Sequence, residues 1–171
     1  MADEIINRVA LSKLIVIDLE DYYPQGPRIT FDLKDWLEEG LVLREKAFRD
    51  KVKQHDWEQY RDSFIAINCS SDAIVPIWAY TLVAVHLAPF AKMVVEGTLE
   101  DIETILYQQI INKMDVEPYK DKPLIIKGCS NKPVPLNAYL QLATKLRPVA
   151  KSIMYGEACS AVPLFKKSNL Q

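Results

Sequence analysis

The order of apolar and polar positions divides the chain into short elements. Residues 14–19 (LIVIDL) form an apolar run of strand length, and residues 29–33 alternate apolar with polar, as a half-buried strand does. Between them, 20–27 is an acidic, aromatic turn region, so a hairpin or loop-joined pair is expected. Residues 43–55 are charged, with Leu43, Ala47, Phe48 and Val52 at helical spacing. Residues 64–67 predict a buried strand and 75–87 an apolar helix, with Pro76 in its first turn and Pro89 as its breaker. Residues 93–96 predict a strand before Gly97. Thr98 and Asp101 are spaced as a capping box for a helix to about Lys113 that buries Ile102, Ile105, Leu106 and Ile110. The pattern then returns, with 124–127 as strand, 135–146 as helix, Pro148 as breaker and 153–155 as strand. The polar tail 166–171 is expected to fray.

Strands alternating with helices of this length predict βαβ units. The expected fold is a single α/β domain with one mostly parallel sheet and the N-terminal strands at an edge. It is built from a helix–strand–helix–strand unit present twice, at about 41–97 and 98–156. Placing Cys69–Gly97 over Cys129–Gly156, with one residue deleted before Val-Pro, gives 12 identical pairs over 28 positions, among them Pro76/Pro135, Tyr80/Tyr139 and Gly97/Gly156. Upstream, Asp56, Glu58, Tyr60 and Asp62 match Asp115, Glu117, Tyr119 and Asp121. Matched prolines, glycines and cysteines do not follow from periodicity alone. A third front end, Cys159-Ser160 followed by Val162-Pro163, repeats the start of the unit.

A chain of 171 residues is long enough for one hydrophobic core, and 49% apolar with 26% charged residues is an ordinary globular balance. A net charge of -2 with scattered cations argues against nucleic acid as a partner. No apolar run approaches the length of a membrane span, and residues 1–8 lack the apolar stretch of a signal peptide. Three cysteines cannot form a closed intrachain disulfide set, which points to a reducing cytoplasm.

Those cysteines are the candidate chemistry. Each is followed by serine and, three to six residues later, by Val-Pro. If the preceding strands are parallel, Cys69, Cys129 and Cys159 emerge together at the carboxyl edge of the sheet, where open α/β folds bind ligands. Three thiolates would suit Zn, Fe or an iron–sulfur cluster. Ser70, Ser130, Ser160, Asp72, Glu157 and His55 are candidates for a fourth ligand or a supporting shell. Two other readings stay open: a metal-free structural or interaction domain with buried cysteines, and a thiol-dependent enzyme, for which two histidines leave little choice of base. No catalytic residue is assigned. His86 is expected at a helix edge, because Lys145 replaces it in the second copy, and His55 in solvent. The hydroxyls of Tyr80 and Tyr139 are expected to reach the loop carrying the other copy's cysteine, and the Asp-x-Glu-x-Tyr-x-Asp segments to be structural turns. Carboxylates at Asp18, Glu20 and Asp21 are read as solvated before they are read as a cation site. No phosphate-cradling glycine loop is present. The apolar helix 75–87 is either internal or part of a homodimer contact, and the small-molecule ligand is unknown.

At NCSSDAIVPIWAY, KGCSNKPVP, LRPVAKSIMYGEACSAVPL, LIVIDLEDYYP and FDLKDWL the chain resembles an uncharacterised family found mainly in Bacteroidetes, domain of unknown function 2480. The resemblance runs from about Ile6 to Lys166. It implies a cytoplasmic single-domain bacterial protein and carries no activity with it.

Overall fold

The computed structural model describes residues 14–128, 131–157 and 160–167. Among them run β1 (Ile15–Ile17), β2 (Arg28–Asp32), α1 (Glu45–Gln54), β3 (Phe64–Asn68), α2 (Ile77–Leu87), β4 (Met93–Glu96), α3 (Leu99–Lys113), β5 (Pro123–Ile126), α4 (Leu136–Leu146), β6 (Ser152–Tyr155) and β7 (Val162–Lys166). The α/β class and the dominance of parallel pairing are as the pattern predicts. The strands, however, belong to two sheets instead of one, in the orders β2-β3-β4 and β1-β5-β6-β7. Every pairing is parallel except β6 with β7.

The chain divides accordingly into two compact units, a central one at Pro24–Ile105 and a split one made of Met1–Tyr23 and Leu106–Gln171. In the central unit Phe31, Ile65 and Ile67 pack with Phe48 and Val52 of α1 and with Ala79, Val83 and Leu87 of α2. In the split unit Ile17, Leu124 and Ile126 pack with Tyr107 and Ile111 of α3 and with Ala138, Leu142 and Leu146 of α4. The expected hairpin is therefore absent from the described residues: β1 pairs with β5 and β2 with β3. A parallel edge strand needs a distant partner, whereas a hairpin needs only a turn.

The duplication is more regular than the gapped match suggests. A constant shift of 59 residues carries Phe48 and Val52 onto Tyr107 and Ile111, α2 onto α4, and β4 onto β6. The Asp-x-Glu-x-Tyr-x-Asp segments are structural turns: Asp56 and Asp115 each accept the N–H two residues on, at 3.0 Å. Asp62 and Asp121 turn the chain with φ of 60° and 54°. Gly97 and Gly156, at φ of 130° and 115°, leave the last strand of each copy by a backbone path that favours glycine. The leading strand repeats too, at a spacing of 14: Ile17-Asp18-Leu19 and Phe31-Asp32-Leu33 both end a strand and open a 3₁₀ turn. The third copy is not a third unit, because Val162-Pro163 begins an edge strand antiparallel to β6 instead of a helix. Proline is tolerated at such an edge. Of the expected frayed tail, Lys166 ends β7 and Lys167 pairs with Asp121 at 3.0 Å; residues 168–171 lie outside the described residues.

Helix α3 departs from the expected face. Thr98 and Asp101 do form the capping box, with the Thr98 N–H donating to the carboxylate at 2.7 Å. Ile102 and Leu106 are buried, but Ile105 and Ile110 are half-buried, while Glu103, Tyr107 and Ile111 are enclosed. Glu103 is admitted to the interior by Arg28, whose Nε donates to it at 2.7 Å; the two side chains are 5% and 11% exposed. Arg28 Nη1 donates to the carbonyls of Pro24 and Gly26 at 2.7 Å each, and the guanidinium lies over the Phe64 ring. Removing one partner of an enclosed ion pair leaves the other charge without compensation. Glu103→Ala is expected to lower the unfolding free energy by about 3 kcal/mol, measured by urea denaturation.

Candidate functional site

The carboxyl edge of each sheet is tied together by an aspartate at the end of its leading strand. In the central unit Asp32 stands beside Asn68 in the parallel register. Its Oδ1 accepts the N–H of Lys34 at 2.9 Å, which caps the 3₁₀ turn, and the N–H of Ser70 at 3.0 Å, which fixes the loop after β3. Burial works to raise the Asp32 carboxyl. The hydrogen bonds from Ser70 and Lys34, with the Lys34 charge, outweigh it and hold the group below the usual carboxylate range. In the split unit Asp18 caps through the N–H of Glu20 at 2.9 Å and pairs with Lys127 Nζ at 2.7 Å. Burial raises Asp18 as well, and Lys127 and the Glu20 N–H again bring it down. Glu20 accepts the backbone N–H groups of Asn131 and Lys132. Asp18 and Glu20 are thus structural acceptors at this edge.

The strands that lead to the cysteines are distributed differently from the expectation. Cys69 follows β3 of the three-stranded sheet, whereas the strands preceding Cys129 and Cys159 are the neighbours β5 and β6 of the other sheet. The three preceding strands therefore do not share one sheet. Among the described residues strand order also runs without reversal in both sheets, and neither shows the switch point at which open α/β sheets form their crevice. Nor are Cys69 and Cys129 equivalent: the shift of 59 sets Gly128 opposite Cys69 and Cys129 opposite Ser70. The Tyr155 ring lies where a Cβ at Gly128 would sit, 2.9 Å from it, so this position accepts no side chain without a shift.

Cys69 is half-buried, packs against the core of the central unit and lies 3.3 Å from Ser71 Oγ. Cys129, Ser130 and Cys159 lie outside the described residues, and among the described residues no three His, Cys, Asp or Glu side chains are placed to hold a metal ion. Ser70, Asp72, Glu157 and Ser160 are exposed; Ser160 donates its N–H to the Glu157 carbonyl at 2.9 Å. Tyr80 lies near its own copy's edge, where Cys69, Glu96 and Asp32 act on its hydroxyl. Burial first, and then those negative charges, raise it above the ordinary tyrosine range, so it is protonated at neutral pH. Tyr139 sets its ring edge-on to Tyr155, also of its own copy, at 5.8 Å.

His55 is not a solvated residue. It is half-buried in an aromatic cluster, 4.9 Å from Trp36 and 4.7 Å from Trp57 between ring centroids, with Nε2 3.0 Å from the Tyr60 hydroxyl. His86, expected at a helix edge, bonds the Leu82 carbonyl within α2 and lies against Trp57.

Two measurements follow from these contacts. Asp32→Ala removes a cap and the tie to Ser70, and is expected to cost about 1–2 kcal/mol in urea denaturation at pH 7, with the difference shrinking as the wild-type carboxyl is protonated in acid. Burial lowers the His55 imidazole below its ordinary 6.5, against the pull of Asp56. The unfolded chain therefore takes up that proton at higher pH than the folded one. The stability His55 contributes by staying neutral is complete above about pH 6.5 and is lost as pH falls toward the folded value. An NMR titration is expected to place its midpoint below that of free imidazole.

No curated protein and no solved structure matches the chain. Residues 3–167 match the family described as "Protein of unknown function (DUF2480)". That span takes in both copies of the unit, both leading strands and all three Cys-Ser pairs, so the chain belongs to the DUF2480 family.

Proposed function

We propose that the chain binds a metal ion, Zn or Fe, through thiolates at the carboxyl edge of its four-stranded sheet, with Cys129 and Cys159 as the ligand pair. The observation that carries this reading is the pairing of β5 with β6, in which Ile126 stands opposite Tyr155. Cys129 follows Ile126 by three residues and Cys159 follows Tyr155 by four, so the chain runs on to each cysteine from the same end of adjacent parallel strands. Thiolates suit Zn and Fe, and a carboxylate oxygen is also a zinc ligand. The exposed Glu157 is the carboxylate nearest in sequence to Cys159, and Asp18 and Glu20 already serve as acceptors at this edge. An ion that kept an open position would act as a Lewis acid or supply a bound hydroxide. In this reading Cys69, in the other sheet and packed on a core, is a structural thiol.

Elemental analysis of protein purified without a histidine tag and loaded with Zn²⁺ or Fe²⁺ tests the assignment. The expected result is about one ion per chain, bound through deprotonated thiols. Cys129→Ser and Cys159→Ser are each expected to lose it and Cys69→Ser to keep it. Wild-type protein that retains no stoichiometric metal after loading, or that loses it only through Cys69→Ser, overturns the reading.

A further inference from the structure

We propose that the central unit carries a small-molecule site, a recess between Trp36 and His55 that takes a zwitterion with a flat apolar body, of the aromatic amino-acid class. The recess has a volume of about 330 Å³ and is lined by Asp35, Trp36, Lys51, Gln54 and His55, so it shares no residue with the metal reading. The Trp36 ring forms its apolar wall and is held from behind, 5.0 Å from Phe31 and 6.0 Å from Phe48 between centroids. His55 Nε2 meets the Tyr60 hydroxyl at 3.0 Å and Gln59 Nε2 at 3.2 Å. Gln59 Nε2 also donates to the Asp56 carbonyl at 2.6 Å, and an amide nitrogen can only donate to the imidazole as well. Nε2 is therefore an acceptor, and the neutral ring carries its proton on Nδ1, which has no partner among the described residues. The buried side-chain polar atom left without a partner among those residues belongs to Asn68, so the Nδ1 donor is open to solvent. Lys51 and Asp35 bring opposite charges to the same recess without cancelling. Lys51 Nζ reaches the Asp35 backbone carbonyl, at 3.4 Å, and among the described residues neither side chain has an ion-pair partner.

The other copy shows that the scaffold does not require these groups. The shift of 59 carries Lys51 onto Ile110 and His55 onto Met114, and the shift of 14 carries Trp36 onto Tyr22. In the split unit Ile110 and Met114 pack against the core, and Tyr22 is hydrogen-bonded to Tyr119, the counterpart of Tyr60. One copy thus fills the corner with apolar side chains and a tyrosine pair, and the other equips it with an ammonium, an imidazole N–H and an indole. The imidazole is a burden on the fold, since burial opposes its ionisation, and a methionine there carries no such cost. A zwitterion uses every one of these groups. Its carboxylate accepts from Lys51 and from His55 Nδ1–H, its ammonium meets Asp35, and its ring lies against Trp36. The volume is at the lower end of ligand sites, about 300 Å³ upward, which suits a molecule of this size.

Titration of the full chain with L-phenylalanine, followed by indole fluorescence and by the NMR signals of the His55 ring, tests this. Saturable binding is expected with a Kd below about 1 mM, with the His55 signals moving along the same curve. 3-Phenylpropionate, which lacks the ammonium, and phenethylamine, which lacks the carboxylate, are each expected to bind about tenfold more weakly. Lys51→Ala and Asp35→Asn, both at exposed positions, are each expected to weaken L-phenylalanine about tenfold, and Asp35→Asn to leave 3-phenylpropionate no weaker than before. His55→Met takes the residue of the other copy, so it is expected to keep the thermal unfolding temperature while weakening the ligand to a similar degree. No saturation up to about 10 mM, equal binding of either truncated compound, or an affinity indifferent to Lys51→Ala and Asp35→Asn overturns the proposal.

Discussion

A parallel edge strand has a hydrogen-bonding partner on one side only, and most of this structure depends on how β1 and β2 are kept in place. For β2 the anchoring is electrostatic at one end and local at the other. Arg28 at its start reaches the enclosed Glu103 of α3 and two carbonyls of the preceding turn. Asp32 at its end holds both its own 3₁₀ turn and the loop that leaves β3. For β1 the same position, Asp18, holds Lys127, while the Tyr107 hydroxyl donates to the Leu19 carbonyl at 2.9 Å. Each leading strand is thereby fastened to the strand and helix beside it by side chains as well as by its ladder. Both cores assemble on these strands, so the position of everything at the carboxyl edges follows from them.

Much of the element order was legible because apolar period and proline agree. Val-Pro opens both helices at the same position, and Pro89 and Pro148 lie just past their ends, where a helix cannot continue. The division into two sheets was not legible, since an apolar strand carries no mark of which parallel neighbour it will choose. One signal was present and hidden by its spacing: Ile17-Asp18-Leu19-Glu20-Asp21-Tyr22 and Phe31-Asp32-Leu33-Lys34-Asp35-Trp36 are the same turn, 14 residues apart, while everything downstream repeats at 59. Burial of Glu103 could not be read from a helix with plausible apolar alternatives at Ile105 and Ile110, because it depends on an arginine 75 residues away. His55 was misplaced for a related reason: the rings around it come from Phe31, Trp36, Trp57 and Tyr60, and no local pattern announces that they meet.

The two copies show which contacts the unit requires and which it can exchange. The inner positions of α2 and α4 are the same or nearly so, Ala79/Ala138, Val83/Leu142 and Leu87/Leu146. The way the preceding helix is closed differs. In the central unit the Trp57 indole donates to the Val52 carbonyl at 2.8 Å, whereas in the split unit Lys145 donates to the carbonyls of Ile111 and Asn112. An orphan carbonyl at a helix end must be met, and either an indole or an ammonium meets it. At the carboxyl edge the copies differ most, with Cys69 where the other has Gly128 and Ser70 where the other has Cys129. The thiols therefore do not share the symmetry of the scaffold, and chemistry read from one copy does not transfer to the other.

The nesting of one unit inside the other also orders events during synthesis. The central unit is continuous, and its strands find partners within a single stretch of chain, so it can close once that stretch has left the ribosome. Asp18 and Lys127, by contrast, are 109 residues apart, and β1 has to wait for β5. Throughout that interval an apolar strand with unpaired N–H and C=O groups stands free, a template for wrong pairing. The acidic turn that follows it, Glu20 and Asp21, then has a second use beyond capping: it puts like charges beside the waiting edge and discourages two nascent chains from joining there.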